Sequence, residues 1–201
     1  MIKFKLPIKK LLYTLLALSL LAANGVMAQG IATHTIHLKS GDINTKANVT
    51  TWFAANKEKR QTNNEPVQAL VHFDQLPTAA QIQALKQSGI TLYDYLPDNT
   101  YNALIDNNAQ EDAALQAKVY SITETKPEWK ADDYVWKQVR NSNKPVELLV
   151  ALYPCIKQEV LSEQIAALGG KINNSPMQKY GNYSITLAGN RVYTLAQWYG
   201  V

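Results

Sequence analysis

Three histidines and a single cysteine are the side chains of this 201-residue chain best suited to move a proton, hold a metal or attack a carbonyl. Their sequence neighbours decide which of these is open to them. His34 and His37 lie three residues apart on a stretch with strand character, which puts them on opposite faces. With no other cysteine or histidine near them in sequence, no metal site is expected. His72 falls on the polar face of a strand and reads as a surface or cross-strand residue. Cys155 follows Pro154 at the mouth of a helix, where a thiol pKa can be lowered. A lone, small cysteine is nevertheless expected to be a buried packing residue. Serine hydrolysis needs a nucleophile within reach of a general base, together with donors for the oxyanion. The chain has no G-x-S-x-G elbow, no Gly-Thr-Ser turn, no His-Gly pair and no phosphate-cradling glycine loop. Tyr93 and Tyr95, and Tyr180 and Tyr183, suit strand cores and edges better than a platform for stacked bases. Catalytic, cofactor-binding and metal-binding residues are all expected to be absent, and the chain is expected not to be an enzyme.

The elements that hold these residues occur twice. Pro66-Val67 precedes Leu70-Val71 as Pro145-Val146 precedes Leu149-Val150, and the likeness runs on through 66–105 and 145–187. In the first copy Val67, Ala69, Val71 and Phe73 alternate with Gln68, His72 and Asp74, as a strand with one buried face requires. Thr78 with Gln81 three residues later forms a capping box, Ile82 and Leu85 share a helix face, and Gly89 ends the helix. Strands follow over Thr91 to Leu96 and Tyr101 to Ile105, separated by Pro97-Asp98-Asn99 with turn chemistry. A second helix over Ala109 to Lys118 and a strand over Val119 to Thr123 complete the order βαββαβ. That order defines a ferredoxin-like, split-βαβ arrangement within an α+β fold.

The second copy gives a strand over Glu147 to Tyr153, then a helix over Ile156 to Leu168 with Ile156, Val160, Leu161 and Ile165 inward. The Gly169-Gly170 stop comes next, then strands near Lys171 to Asn174 and Tyr183 to Leu187, and a helix near Arg191 to Tyr199. The expected fold is thus two tandem ferredoxin-like units, the second without its last strand. The strand Glu147 to Tyr153, apolar on both faces as an interior strand would be, becomes an edge open to self-association. The expected boundaries are an N-terminal strand and loop over 29–65, the first unit over 66–125, a linker over 126–144 and the second unit over 145–201. Within these, Thr33 to Leu38 is an extra strand, Lys57 to Glu65 an exposed polar loop, and the linker is pinned by Trp129 and Trp136.

The first ten residues carry four lysines and no acid, and Leu11 to Ala23 is nearly continuously apolar but too short to span a bilayer. Val26 and Ala28 stand three and one residues before Gln29, which predicts a secretory signal peptide over 1–28 with cleavage before Gln29. The protein is then exported, to the periplasm or beyond, with no membrane span. The net charge of +4 depends on those lysines: 16 basic residues stand against 16 acidic ones in the rest of the chain. No electrostatic footprint for nucleic acid remains. A single cysteine cannot form an internal disulfide, so stability has to come from burial.

His37-Leu38-Lys39-Ser40-Gly41, Val67 to Phe73, Leu76-Pro77-Thr78, Leu85, Gly89-Ile90, Leu92, Tyr95-Leu96-Pro97, Asn99-Thr100-Tyr101, Val119 to Thr125 and Gly169-Gly170 together carry a family likeness. The chain resembles the N-terminal, propeptide-like region that precedes the catalytic domain in secreted bacterial subtilisin-like (S8 family) serine peptidases. The resemblance implies a chaperone and inhibitor whose sheet packs on a subtilisin-like catalytic domain, supplied in cis if the chain is a truncated peptidase N-terminus, or otherwise in trans. The Asp, His and Ser motifs of that domain are missing from this chain. The other readings are an exported structural or adhesion-type module with no peptidase partner, and a peptidase with an unfamiliar site.

Overall fold

The computed structural model describes residues 34–62 and 65–201. The expected signal peptide and its cleavage before Gln29 lie outside them. None of the helices among the described residues is long and apolar enough to cross a membrane.

A hairpin of β1 (Thr35–Leu38) and β2 (Gly41–Asn44) opens the described chain, and short helices follow over Val49–Ala55 and Lys57–Thr62. The first unit comprises β3 (Val67–Phe73), the helix Ala79–Gln87, β4 (Ile90–Leu96), β5 (Thr100–Ile105), the helix Glu111–Gln116 and β6 (Val119–Glu124). Its four strands lie in the order β4-β5-β3-β6, with every neighbouring pair antiparallel. This is the expected βαββαβ sheet, with the first strand central and the fourth beside it. Local chemistry agrees with it: Thr78 Oγ1 accepts the Gln81 N–H at 3.3 Å, and Gln81 Oε1 accepts the Thr78 N–H at 2.8 Å. Gly89 then takes φ +83°, where a Cβ would stand 3.0 Å from the Ala109 backbone. Val71, Phe73, Leu85, Ile90, Ile105 and Ile122 form the centre of the helix-side core.

The second unit holds a 3-10 turn (Pro127–Lys130), the helix Asp133–Val139, β7 (Pro145–Ala151), the helix Gln158–Ala167, β8 (Lys171–Ile172), a 3-10 turn (Pro176–Tyr180), β9 (Asn182–Ala188) and the helix Val192–Gln197. Its sheet order is β7-β9-β8, again antiparallel, and among the described residues β7 pairs with β9 alone. Leu161, Ile165, Ile185 and Leu187 are its most deeply buried side chains.

Four expectations need correction. The stretch 29–65, expected to hold a strand and a loop, contains a hairpin and two helices among its described residues, and Trp52 and Phe53 enter the first core. Lys57 to Glu65 is not simply an exposed loop. One turn of helix carries the Arg60 guanidinium inward, 4.7 Å from the Phe53 ring centre, and its Nη1 donates to Ala109 O at 3.1 Å. The supposed linker 126–144 is largely folded: Trp136 and Val139 are buried in the second core, and Trp136 Nε1 donates to Glu128 O and Ala131 O. Finally, β7 is not apolar on two covered faces. Its side chains alternate between half-buried and exposed, and Leu149 is 59% exposed.

The two sheets differ in what covers the face away from their helices. In the first, Gln68, Leu70 and His72 point that way and are all buried. His34, just ahead of β1, reaches His72, and Gln68 Nε2 donates to Tyr153 Oη of the second unit at 2.7 Å. In the second, the corresponding face shows exposed Glu147, Leu149 and Ala151.

Candidate functional site

All three histidines converge on one corner of the first sheet. Thr100 Oγ1 donates to Asp98 O at 3.0 Å, so it receives the Nδ1–H of His72, also at 3.0 Å. This fixes His72 as the Nδ1–H tautomer, and its bare Nε2 faces His34 Nδ1 at 3.4 Å. The His34 ring lies flat on Tyr120, with centroids 3.5 Å apart. At the far end of β1, His37 Nδ1 donates to Asp98 Oδ2 at 2.6 Å. The hairpin is therefore tied to the turn between β4 and β5 from both of its ends. His34 and His37 diverge, as their spacing implies. His72 is cross-strand, opposite Thr100 and Ser121, but is buried rather than on the surface.

This array titrates in two directions. Burial, and then the neighbouring His34, hold His72 below its ordinary 6.5. The hydrogen bond and charge of Asp98 raise His37 above the same value. The exposed His37 thus contributes stability that is present below its unfolded pKa and lost as pH rises through its folded one. For His72 the sign is opposite: the unfolded chain takes the proton first, so stability falls as pH drops below about 6.5. The expected result is an imidazole titration below 6.5 for His72 by NMR, and loss of the stability slope under that pH in His72→Gln. A His72 that titrates above 6.5 contradicts this.

Ser121 lies directly across from His72, its Oγ buried without a hydrogen-bond partner among the described residues. A serine beside a histidine suggests a nucleophile and its base. Ser121, Thr100 and His72 are each at most 3% exposed, so no substrate carbonyl can reach them, and the arrangement is a polar layer inside the protein.

Cys155 is exposed, contrary to the expected buried packing role, because the helix starts only at Gln158 and leaves the thiol in the turn before it. Burial and the Cys155 thiol raise the Tyr93 phenol, and Tyr93 lies 4.7 Å from the Tyr153 ring. Burial pushes Tyr153 up to about 12. Gln68, Tyr93, Asn102, Tyr153 and Tyr180 line a cleft of about 640 Å³ that Lys130 also borders. Of the tyrosines singled out, Tyr183 is buried while Tyr95 and Tyr180 are exposed. No group of three or more His, Cys, Asp or Glu able to hold a metal occurs among the described residues.

The opposite edges of the two sheets are finished differently. Asn48 lies along β6, its Nδ2 donating to Ile122 O at 2.9 Å and its Oδ1 accepting the Ile122 N–H at 2.8 Å. One amide side chain thus satisfies both polar groups that Ile122 would offer a further strand. Among the described residues no side chain does the same beside β7, where only the Tyr153 N–H, just past the strand, is taken up, by Gly200 O at 3.2 Å. There a groove of about 220 Å³ runs between the edge strand and the helix Val192–Gln197.

Residues 37–126 match the family model of a domain of unknown function (DUF8729). The matched stretch takes in most of the hairpin, both N-terminal helices and the whole first unit, and stops before the second. No curated protein and no solved structure matches the chain.

Proposed function

We propose that this chain is an exported, non-catalytic binding module that acts on a subtilisin-like peptidase domain as a propeptide-like chaperone and inhibitor. The observation that supports this reading is the tandem of antiparallel split-βαβ sheets, carried on the residues that resemble such propeptides. The burial of Ser121 and His72 and the exposure of Cys155 beside a tyrosine fit a non-catalytic role. The first sheet's outer face is occupied by His34 and Tyr153, so the surface available to a peptidase is the second unit's, around Glu147, Leu149 and Ser184, whose Oγ donates to Glu147 Oε1 at 2.7 Å. The same closure of the first sheet favours the second reading, an exported structural or adhesion-type module.

The discriminating experiment adds the chain from Gln29 to secreted subtilisin-like peptidases encoded near its gene. Saturable inhibition together with faster refolding of the acid-unfolded catalytic domain is expected, weakened at least about tenfold by Leu149→Asp. If neither peptidase activity nor refolding responds, the structural-module reading stands instead.

A further inference from the structure

The hairpin β1–β2 is fastened to the outer face of the first sheet at two points. Near its tip, the backbone N–H and the Nδ1 of His37 both engage Asp98 Oδ2, at 3.3 and 2.6 Å. At its base, His34 Nδ1 stands 3.4 Å from His72 Nε2, and the His34 ring is stacked on Tyr120 with centroids 3.5 Å apart. Ile36, midway between the two, has no exposed surface. Just past β2, Asn48 bonds to both the N–H and the C=O of Ile122. The hairpin thus hangs from a fixed point on β6 through residues 46–47.

The two fastenings answer acid in opposite ways. A proton on His37 turns its bond to Asp98 into a charged pair, with Asp42 a further 3.9 Å away, and the tip tightens. At the base, the Nδ1–H of His72 is committed to Thr100 Oγ1, so a proton can add only at Nε2, which faces His34. A first proton on the pair leaves a single N–H in the gap, held between the two nitrogens. A second sets two N–H groups face to face and brings two cationic rings together, one of them on a side chain only 3% exposed. Around His72, Thr100 and Ser121 offer hydroxyls, Tyr120 its ring edge, and Asp74 and Asp98 their charges. Those two carboxylates favour a proton, but burial and His34 outweigh them. We propose that the hairpin is a proton-operated cover, shut at neutral pH and released at its His34 end, with the His37–Asp98 clasp as pivot, once both imidazoles of the pair are protonated. Release brings His72 and the face of the Tyr120 ring to the surface, so this part of the first sheet is reachable in acid and closed at neutral pH. The cover works with or without a peptidase as partner.

The test follows NMR cross-peaks between the His34 and Tyr120 rings in the chain from Gln29, from about pH 7.5 to about pH 5, on either side of the ordinary histidine pKa. These cross-peaks should vanish with an apparent midpoint below 6.5, while those between His37 and Asp98 persist and the amides of β5 and β9 keep their folded positions. His34→Phe keeps a stacked ring and takes no proton, so its contact with Tyr120 should survive at about pH 5. His72→Gln removes the second charge and should likewise keep His34 on Tyr120. If one variant does not fold, the other decides. Persistence of the His34–Tyr120 cross-peaks at about pH 5 in the unaltered chain overturns the proposal. So does their loss in either folded variant, or a loss that takes the His37–Asp98 contact or the β5 amides with it.

Discussion

Replacing Trp136 by alanine is expected to unfold the second unit while the first stays folded. The indole is 7% exposed, meets Tyr193 edgewise at 5.9 Å, and satisfies the carbonyls of Glu128 and Ala131 through one N–H. Truncating a buried tryptophan costs about 3–5 kcal/mol, and here it also strips two carbonyls of a donor. Small domains hold only about 5–15 kcal/mol in total, so the loss leaves the second unit marginal. Residue-resolved hydrogen exchange should show protection collapsing in β7 and β9, with β3 and β5 changed by no more than about 0.5 kcal/mol. A residue in a flexible linker would give a change within about ±0.5 kcal/mol, so a silent Trp136→Ala would return 126–144 to linker status.

Phe73→Ala should strike the other half with similar force. Its side chain has no exposed surface, faces Tyr101 edgewise at 5.9 Å, and sits in the core that also receives Trp52, Phe53 and Leu85. A loss of about 3–5 kcal/mol is expected in the first unit, and the N-terminal helices should melt with it because Trp52 and Phe53 have no other core to enter. Stability is measured by urea denaturation followed separately at amides of β5 and β9. Equal losses at both would mean that contacts such as Gln68 to Tyr153 fuse the two cores into one cooperative block, against the expectation of two transitions.

The repeat was legible because its signals are local. Thr78 and Gln81 make both bonds of the capping box, Gly89 takes the backbone conformation that a helix stop needs, and the alternation of β3 separates a helix-side set from a polar set. The helix Val49–Ala55 was not legible, since two threonines, a valine and two aromatics in seven residues favour a strand by propensity. Burial of Trp52 and Phe53 against the sheet overrides that preference. Arg60 sits among basic neighbours and gives no sign that its helix turns it toward Phe53. Tryptophans in a polar stretch marked 126–144 as anchored, yet only the second core, which Trp136 completes and Trp129 does not enter, shows the stretch to be part of a folded unit. The histidine array joins residues 38 and 28 positions apart, a distance over which periodicity carries no information. That Cys155 is exposed follows from where the helix begins, and Lys157 at its cap makes no side-chain bond that would have marked the start.

Asn48 also sets the valence of the molecule. Among the described residues, with β6 capped by an amide, β4 broken by a register shift between Leu92 and Tyr95, and β8 only two residues long, β7 is the one long, regular edge of the two larger sheets. A subunit with two receptive edges can add neighbours without end and grow into a fibre, whereas a subunit with one is saturated by its first partner. A single receptive edge such as that of β7 therefore gives association of fixed stoichiometry rather than a filament.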